Sequence, residues 1–249
     1  MRGIFDKVSR FCGSQGCQIL ANPSDCLYCR FMGISRILPA SVIVSERYGP
    51  HSGELLDEEQ SALGPVVPHR KLEFTAGRTC AREALGKMGI GRFPILRGLN
   101  RAPRWPSGVI GSITHCHNYC AAAVASQGSL LTLGIDAEPD EPLPEGVLAM
   151  ISHPDEALQV EECRLATPAN WDRVLFSAKE SIYKAWFPVT GSWLAFGDAR
   201  VHLHPEAGSF DVEILAQSPW NSSLKLIGTF LVDRGLVLTS VISYPDRIE

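Results

Sequence analysis

Apolar positions recur along the chain with two periods. Leu72, Ala76, Cys80, Ala84 and Met88 fall four apart, so they line one stripe of a helix predicted over 69–89, with Gly89 as its stop. Leu175, Ile182 and Trp186 share a second stripe and predict a helix over 171–186. Asn170 stands where it can cap that helix, and Pro188 lies just past its predicted end. Elsewhere the apolar runs are short or alternate. They predict strands at 42–44, 109–114, 121–125, 130–138, 201–203, 210–215, 224–232 and 236–243, the last four in the manner of an antiparallel sheet. The Gly-, Pro- and acid-rich stretch 49–68 reads as loop with at most a short helix, and 93–106 as punctuated extended pieces. A short helix is expected at 145–151. Residues 140–144 are turn-rich and mark a joint. No short repeat and no low-complexity tract is apparent.

The first 33 residues stand apart. They hold Cys12, Cys17, Cys26 and Cys29 of the eight cysteines and carry neither period. Cys26-x-x-Cys29 is half of a zinc-site spacing, but the other pair is badly spaced for a zinc ribbon. The segment therefore reads as a leader without fixed structure, with Met32 near the functional start. The expected division is a leader over 1–33, a first subdomain over 34–143 and a second over 144–249.

Composition narrows the class. The chain has 249 residues, 45% hydrophobic and 20% charged, which fits a folded protein with a sizeable core. Its net charge is −4, whereas a protein that coats nucleic acid carries a basic excess. No apolar run is long enough for a membrane helix, and no export signal is evident, so the thiols are expected to be reduced in a cytoplasm. The balance hides an asymmetry. Arg70, Lys71, Arg78, Arg82, Lys87, Arg92, Arg97, Arg101 and Arg104 crowd 70–104, while 105–163 contain acids and no Lys or Arg. Such a pair of stretches suits a phosphorylated ligand with a hard metal ion, or else two solvated faces of opposite sign.

Four groups carry candidate chemistry. In Gly134-Ile135-Asp136-Ala137-Glu138, Asp136 and Glu138 lie two apart and so project from one face of a strand. They repel each other unless a cation sits between them, and Mg²⁺ suits that arrangement; solvated acids at a strand end are the bland alternative. In Phe176 to Trp186, Glu180 and Lys184 share a helical face, with Lys179 about 100° round. An exposed ion pair is the alternative, but Phe176, Tyr183 and Trp186 crowd these charges. In Gly111-Ser112-Ile113-Thr114-His115-Cys116, a strand ends in groups that can bond phosphate. A zinc cluster of His115, Cys116, His117 and Cys120 fits poorly, because neighbours on a strand diverge, and Cys116 as a nucleophile lacks an orienting third group. Arg78 and Arg82 share a helical face, with Arg70, Lys71 and Arg97 near in sequence. Paired guanidinium groups suit an anion between them.

In this order the four motifs resemble those of the 4′-phosphopantetheinyl transferases, in particular the long, pseudo-dimeric type that serves polyketide, nonribosomal-peptide and siderophore synthases. The resemblance covers 70 to about 197, and more loosely 34–243. It implies an α/β fold of two similar halves, each a small antiparallel sheet on a long helix, in a monomer that binds coenzyme A between them. It further implies transfer of the phosphopantetheine arm of coenzyme A to a serine of an apo acyl or peptidyl carrier protein, releasing adenosine 3′,5′-bisphosphate. Asp136, Glu138 and Glu180 would bind Mg²⁺. Glu180, directly or through water, would be the general base, and Lys184 would steady the pyrophosphate and the leaving group. Lys179, Arg78, Arg82, Arg97 and His115 would hold phosphates, with Arg70 at the rim. Arg97 stands where many relatives carry Lys, and the first 33 residues have no counterpart. On chemistry alone, a Mg²⁺-dependent phosphohydrolase would use the same acids and cations, and a zinc-binding interaction module would use the cysteines.

Overall fold

The computed structural model describes residues 33–217 and 224–245. Residues 1–32, with Cys26-x-x-Cys29, lie outside the described residues, whereas Gly33, expected to end the leader, is buried at the start of a 3₁₀ turn. After a 3₁₀ turn at Gly33–Ile37, strand β1 (Ile43–Tyr48) leads to helix α1 (Asp57–Leu63) and the long helix α2 (Pro68–Lys87). Strands β2 (Val109–Cys116), β3 (Tyr119–Ser126) and β4 (Thr132–Pro139) follow. Helices α3 (Val147–Ile151), α4 (Pro154–Ala166) and α5 (Trp171–Thr190) precede strands β5 (Ala199–His204), β6 (Ser209–Ile214), β7 (Ile227–Asp233) and β8 (Leu236–Ser243).

The strands form two antiparallel sheets, ordered β1-β3-β2 and β4-β8-β7-β6-β5. Helix α2 packs on the first through Ala76, Cys80, Ala81, Ala84 and Leu85, against Cys120, Ala122 and Val124. These small side chains let the helix approach closely. Leu72, at the outer end of the predicted stripe, is half exposed. Helix α5 packs on the second sheet through Val174, Leu175, Ala178, Ile182 and Trp186. Strand β4 belongs to this second sheet, pairing with β8 from Thr132↔Ser243 to Pro139↔Leu236. The sheet therefore changes within 127–131, ahead of the turn-rich 140–144.

The sheets meet where β2 runs beside β4. Side chains replace a backbone ladder there: Ser112 Oγ accepts from Ile135 N at 3.1 Å, and Thr114 Oγ1 from Ala137 N at 3.0 Å. Two motifs predicted to carry chemistry are thus laced together. Gly134 permits the approach of α5 to β4, since a Cβ would stand 2.1 Å from Ser181 O and 2.6 Å from Ala185 N.

Three local expectations need correction. Helix α5 runs through Pro188 to Thr190, because the proline falls in the last turn, and Gly191, at φ 64°, closes that turn through its amide to Phe187 O at 2.8 Å. Asn170 does not cap α5; its Nδ2 donates to Asp140 Oδ1 and O, at 2.8 and 2.9 Å. Helix α4 fills a stretch the pattern leaves unassigned, although Pro154 in its first turn and Glu156 behind it are start signals.

Candidate active site

Asp136, on β4 where the two sheets meet, is 4% exposed. Its Oδ1 accepts from Lys184 Nζ at 2.7 Å and from Thr114 Oγ1 at 3.3 Å. Its Oδ2 accepts from Ser177 Oγ at 2.8 Å, which stands 2.9 Å from Thr239 Oγ1. Four elements, β2, β4, β8 and α5, thereby fix one carboxylate. Solvation at a strand end is excluded for Asp136. Glu138, two residues on, is partly buried and pairs with Arg173 Nη1 at 3.0 Å. Burial and the charge of Asp136 push its carboxyl up to about 7, against the pull of Arg173. Burial and the same Asp136 charge also raise Glu180 above the usual carboxylate range, with Lys184 opposing. Glu180 accepts no hydrogen bond from any described residue.

Glu138 and Glu180 thus each feel the charge of Asp136, yet the three do not form a ready coordination shell. Among the described residues, no three His, Cys, Asp or Glu groups are gathered for a metal. Lys184 holds one oxygen of Asp136, and Arg173 holds one of Glu138. The donor set itself is of the hard, oxygen-only kind, with one carboxylate unpartnered.

A cation cluster stands at helix α2. The Arg78 guanidinium lies 4.0 Å from the Phe74 ring centroid and that of Arg97 lies 4.6 Å from it. Arg78 is buried and donates from Nε to Ile95 O at 3.0 Å. Burial first, then the Arg97 charge, lowers its guanidinium to about 10. Arg97 is lowered by burial and by Arg101 and Arg70. Such crowding of like charge favours a bound anion. Arg70 sits exposed at the edge, 2.9 Å from Glu73. His115 Nδ1 is 3.8 Å from Glu73 Oε1. Burial drives its imidazole down to about 4, helped by Lys184 and Arg70, so it is neutral at pH 7. Lys184 is the hinge of the arrangement: it bonds Asp136 and its charge reaches His115.

Two predicted phosphate ligands are engaged elsewhere. Arg82 forms an ion pair with Glu59, which is fully buried, and also bonds Glu54 O. Lys179, 3% exposed, donates to Glu156 Oε2 at 2.8 Å and to Phe196 O and Ala199 O, both at 2.9 Å. Lys179 lies one residue, about 100°, round the helix from Glu180 and is turned to Glu156; Arg82 shares the helical face of Arg78 and its charge bears on it, but its donors are held by Glu59 and Glu54 O. The pattern also missed Arg173, Ser177, Glu59 and Glu156, since a lone acid or serine on a helix carries no mark of burial. Cys116 has its thiol pushed up to about 12 by burial and by Glu138 and Asp136, which disables it as a nucleophile. A cavity of about 200 Å³ opens beside Glu180, lined also by Lys179, Tyr183, Trp193, Leu194 and Phe196.

A buried carboxylate at the junction of two antiparallel sheets, each backed by a long helix, with an arginine cluster at the helix of the first, makes an anion-binding α/β architecture. The profile of the 4′-phosphopantetheinyl transferase N-terminal domain matches residues 58–125, and that of the 4′-phosphopantetheinyl transferase superfamily matches 132–235. The chain belongs to this superfamily. It is 44% identical to 4′-phosphopantetheinyl transferase Svp of Streptomyces mobaraensis, over 75% of this chain and 78% of that protein. It is 39% identical to 4′-phosphopantetheinyl transferase PptT of Mycobacterium tuberculosis, over 84% of this chain and 97% of that protein. Enterobactin synthase component D of Salmonella typhimurium is 35% identical over 64% of this chain and 71% of its own length.

Proposed function

We propose that this protein transfers the 4′-phosphopantetheine arm of coenzyme A to a serine of an apo carrier protein, with Mg²⁺, and releases adenosine 3′,5′-bisphosphate. The observation that carries the reading is Lys184, which bonds Asp136 at 2.7 Å and whose charge also bears on Glu138, Glu180 and His115.

In this reading Arg78, Arg97 and the neutral His115 bind the phosphates of coenzyme A, with Arg70 at the edge. Arg82 and Lys179 are left out, because buried acids already hold them. Asp136, Glu138 and Glu180 are the residues that would hold Mg²⁺. When bound, the ion supplies charge neutralisation at the pyrophosphate. Glu180, free of hydrogen-bond partners among the described residues, accepts the serine hydroxyl proton, directly or through water. The serine oxygen forms the new bond to the phosphorus that carries the pantetheine arm, and the bond from that phosphorus to the adenosine bisphosphate oxygen breaks. Lys184 offsets the negative charge gathered on that leaving oxygen. Catalysis of this kind is positioning and electrostatics, and of these side chains Asp136 and Arg78 are fixed by buried hydrogen bonds.

The free thiols of Cys80, Cys116, Cys120 and Cys163 fit a reducing, cytoplasmic setting. No helix among the described residues is long and apolar enough to cross a membrane.

The test is to mix the protein with coenzyme A, Mg²⁺ and a panel of apo carrier proteins, and to weigh the products intact. One phosphopantetheine arm gained per carrier, and lost with EDTA, is the expected result. Free phosphate with no gain in carrier mass would favour the phosphohydrolase reading instead.

A further inference from the structure

Arg82 and Lys179 occupy one place in two copies of the same device. Glu59, the third residue of α1, accepts from Leu56 N at 3.0 Å and Ile95 N at 2.9 Å, and pairs with Arg82, 23 residues on in α2. Glu156, the third residue of α4, accepts from His153 N at 2.6 Å and Val201 N at 2.7 Å, and pairs with Lys179, also 23 residues on, in α5. Each acid is buried. Each reaches back to the amide ahead of its own short helix, sideways to a backbone amide farther along the chain, and across to a cation of the long helix. The correspondence extends along the long helices. Ala81-Arg82-Glu83 with Lys87 repeats as Ala178-Lys179-Glu180 with Lys184. The sequence therefore does carry a repeat, too dilute to recognise until the two buried acids align it.

The copies diverge where the chemistry is. Glu83 is closed off by Ser45 Oγ at 2.6 Å and by Arg47, and Lys87 donates to Val44 O at 2.8 Å. On the other side Glu180 is open, and Lys184 reaches Asp136. What both copies retain is the buried bolt, so the bolt serves the fold of each and not a ligand of either.

The geometry of the second bolt is saturated. An ammonium group has three N–H donors, and Lys179 uses its three on Glu156 Oε2, Phe196 O and Ala199 O. None remains for a phosphate. Two of those acceptors flank the turn that ends the wall of the cavity beside Glu180, which includes Trp193, Leu194 and Phe196.

We propose that Lys179 is a positioning residue: bolted to Glu156, it holds the 194–199 wall at the distance from Glu180 that the transfer step requires. The proposal rests on the transferase reading only in the word transfer; the bolt itself can be tested without it. Lys179→Met alone strands a buried carboxylate and threatens folding, so the variant of choice is Lys179→Met with Glu156→Gln. Hydrogen exchange in the double variant should show 194–201 losing more protection than in Glu156→Gln alone, which already disturbs the bond from Val201 N. Calorimetric coenzyme A affinity should stay within about threefold of wild type, while kcat on an apo carrier falls about 10–100-fold, as displaced active-site walls do. Lys179→Arg, which copies the residue of the first bolt, should restore kcat. A drop of about tenfold or more in coenzyme A affinity with kcat unchanged at saturation would make Lys179 a phosphate ligand and overturn the proposal. So would exchange at 194–201 unchanged from that of Glu156→Gln alone. A wild-type protein that loads no carrier defeats the transferase reading, and the exchange result then still decides whether the bolt holds the wall.

Discussion

Lys184 Nζ stands 2.7 Å from Asp136 Oδ1, joining the long helix α5 to strand β4 at the point where the two sheets meet. The lysine is partly exposed and the aspartate almost wholly buried. One end of the pair is thus anchored, while the other can respond to an arriving anion. Around it, Thr114 donates to the same oxygen and Ser177 to Oδ2, which leaves one of the carboxylate's four lone-pair positions open.

Removing that anchor should abolish the reaction. Asp136→Ala takes away the acceptor of three hydrogen bonds and frees Lys184 from its partner. Carrier loading, followed by intact mass, should fall by at least about 10²–10³-fold, the scale of losing one preorganised electrostatic contact. Added Mg²⁺ should not rescue it.

Glu180→Gln separates binding from chemistry. The side chain keeps its size and loses its charge, and it contacts none of Arg78, Arg97 or His115 through a hydrogen bond. Coenzyme A binding by calorimetry should persist, while loading falls by about 10²–10⁴-fold, as expected for loss of a general base. Near-normal loading at saturating Mg²⁺ would remove Glu180 from the reaction.

His115 should leave a mark on the pH dependence of stability. Its folded pKa, about 4, lies below the usual 6.5, so between those values the unfolded chain binds a proton that the folded one refuses. Stability contributed there is present above pH 6.5 and is lost as pH falls toward 4. Urea unfolding at pH 7 and pH 5 should show a smaller loss for His115→Gln than for wild type. An equal or larger loss in the variant would contradict this.

Arg82→Met leaves Glu59 buried with two backbone donors and no cation. Breaking a buried pair from one side costs about 3–5 kcal/mol, which denaturant unfolding would register. Coenzyme A affinity of the surviving folded fraction should be close to wild type. A loss of affinity without loss of stability would return Arg82 to the phosphate set.

Sequence alone determined whatever depends on near neighbours. The apolar stripe of Leu175, Ile182 and Trp186 is buried as its period requires, and Asp136 and Glu138 share a strand face because alternation demands it. Glu180 and Lys184 flank one site because four residues are close to one helical turn. Only the tertiary structure decided which charges are free. Lys179 and Lys184 look alike in sequence, yet one is sealed by Glu156 and two carbonyls, and the other faces Asp136. Arg78 and Arg82 share a helix, yet one stacks on Phe74 and the other pairs with Glu59. The reason is physical: a charge buried on folding takes its partner from wherever the chain brings one, here 23 residues away in both bolts, and no local period encodes that distance.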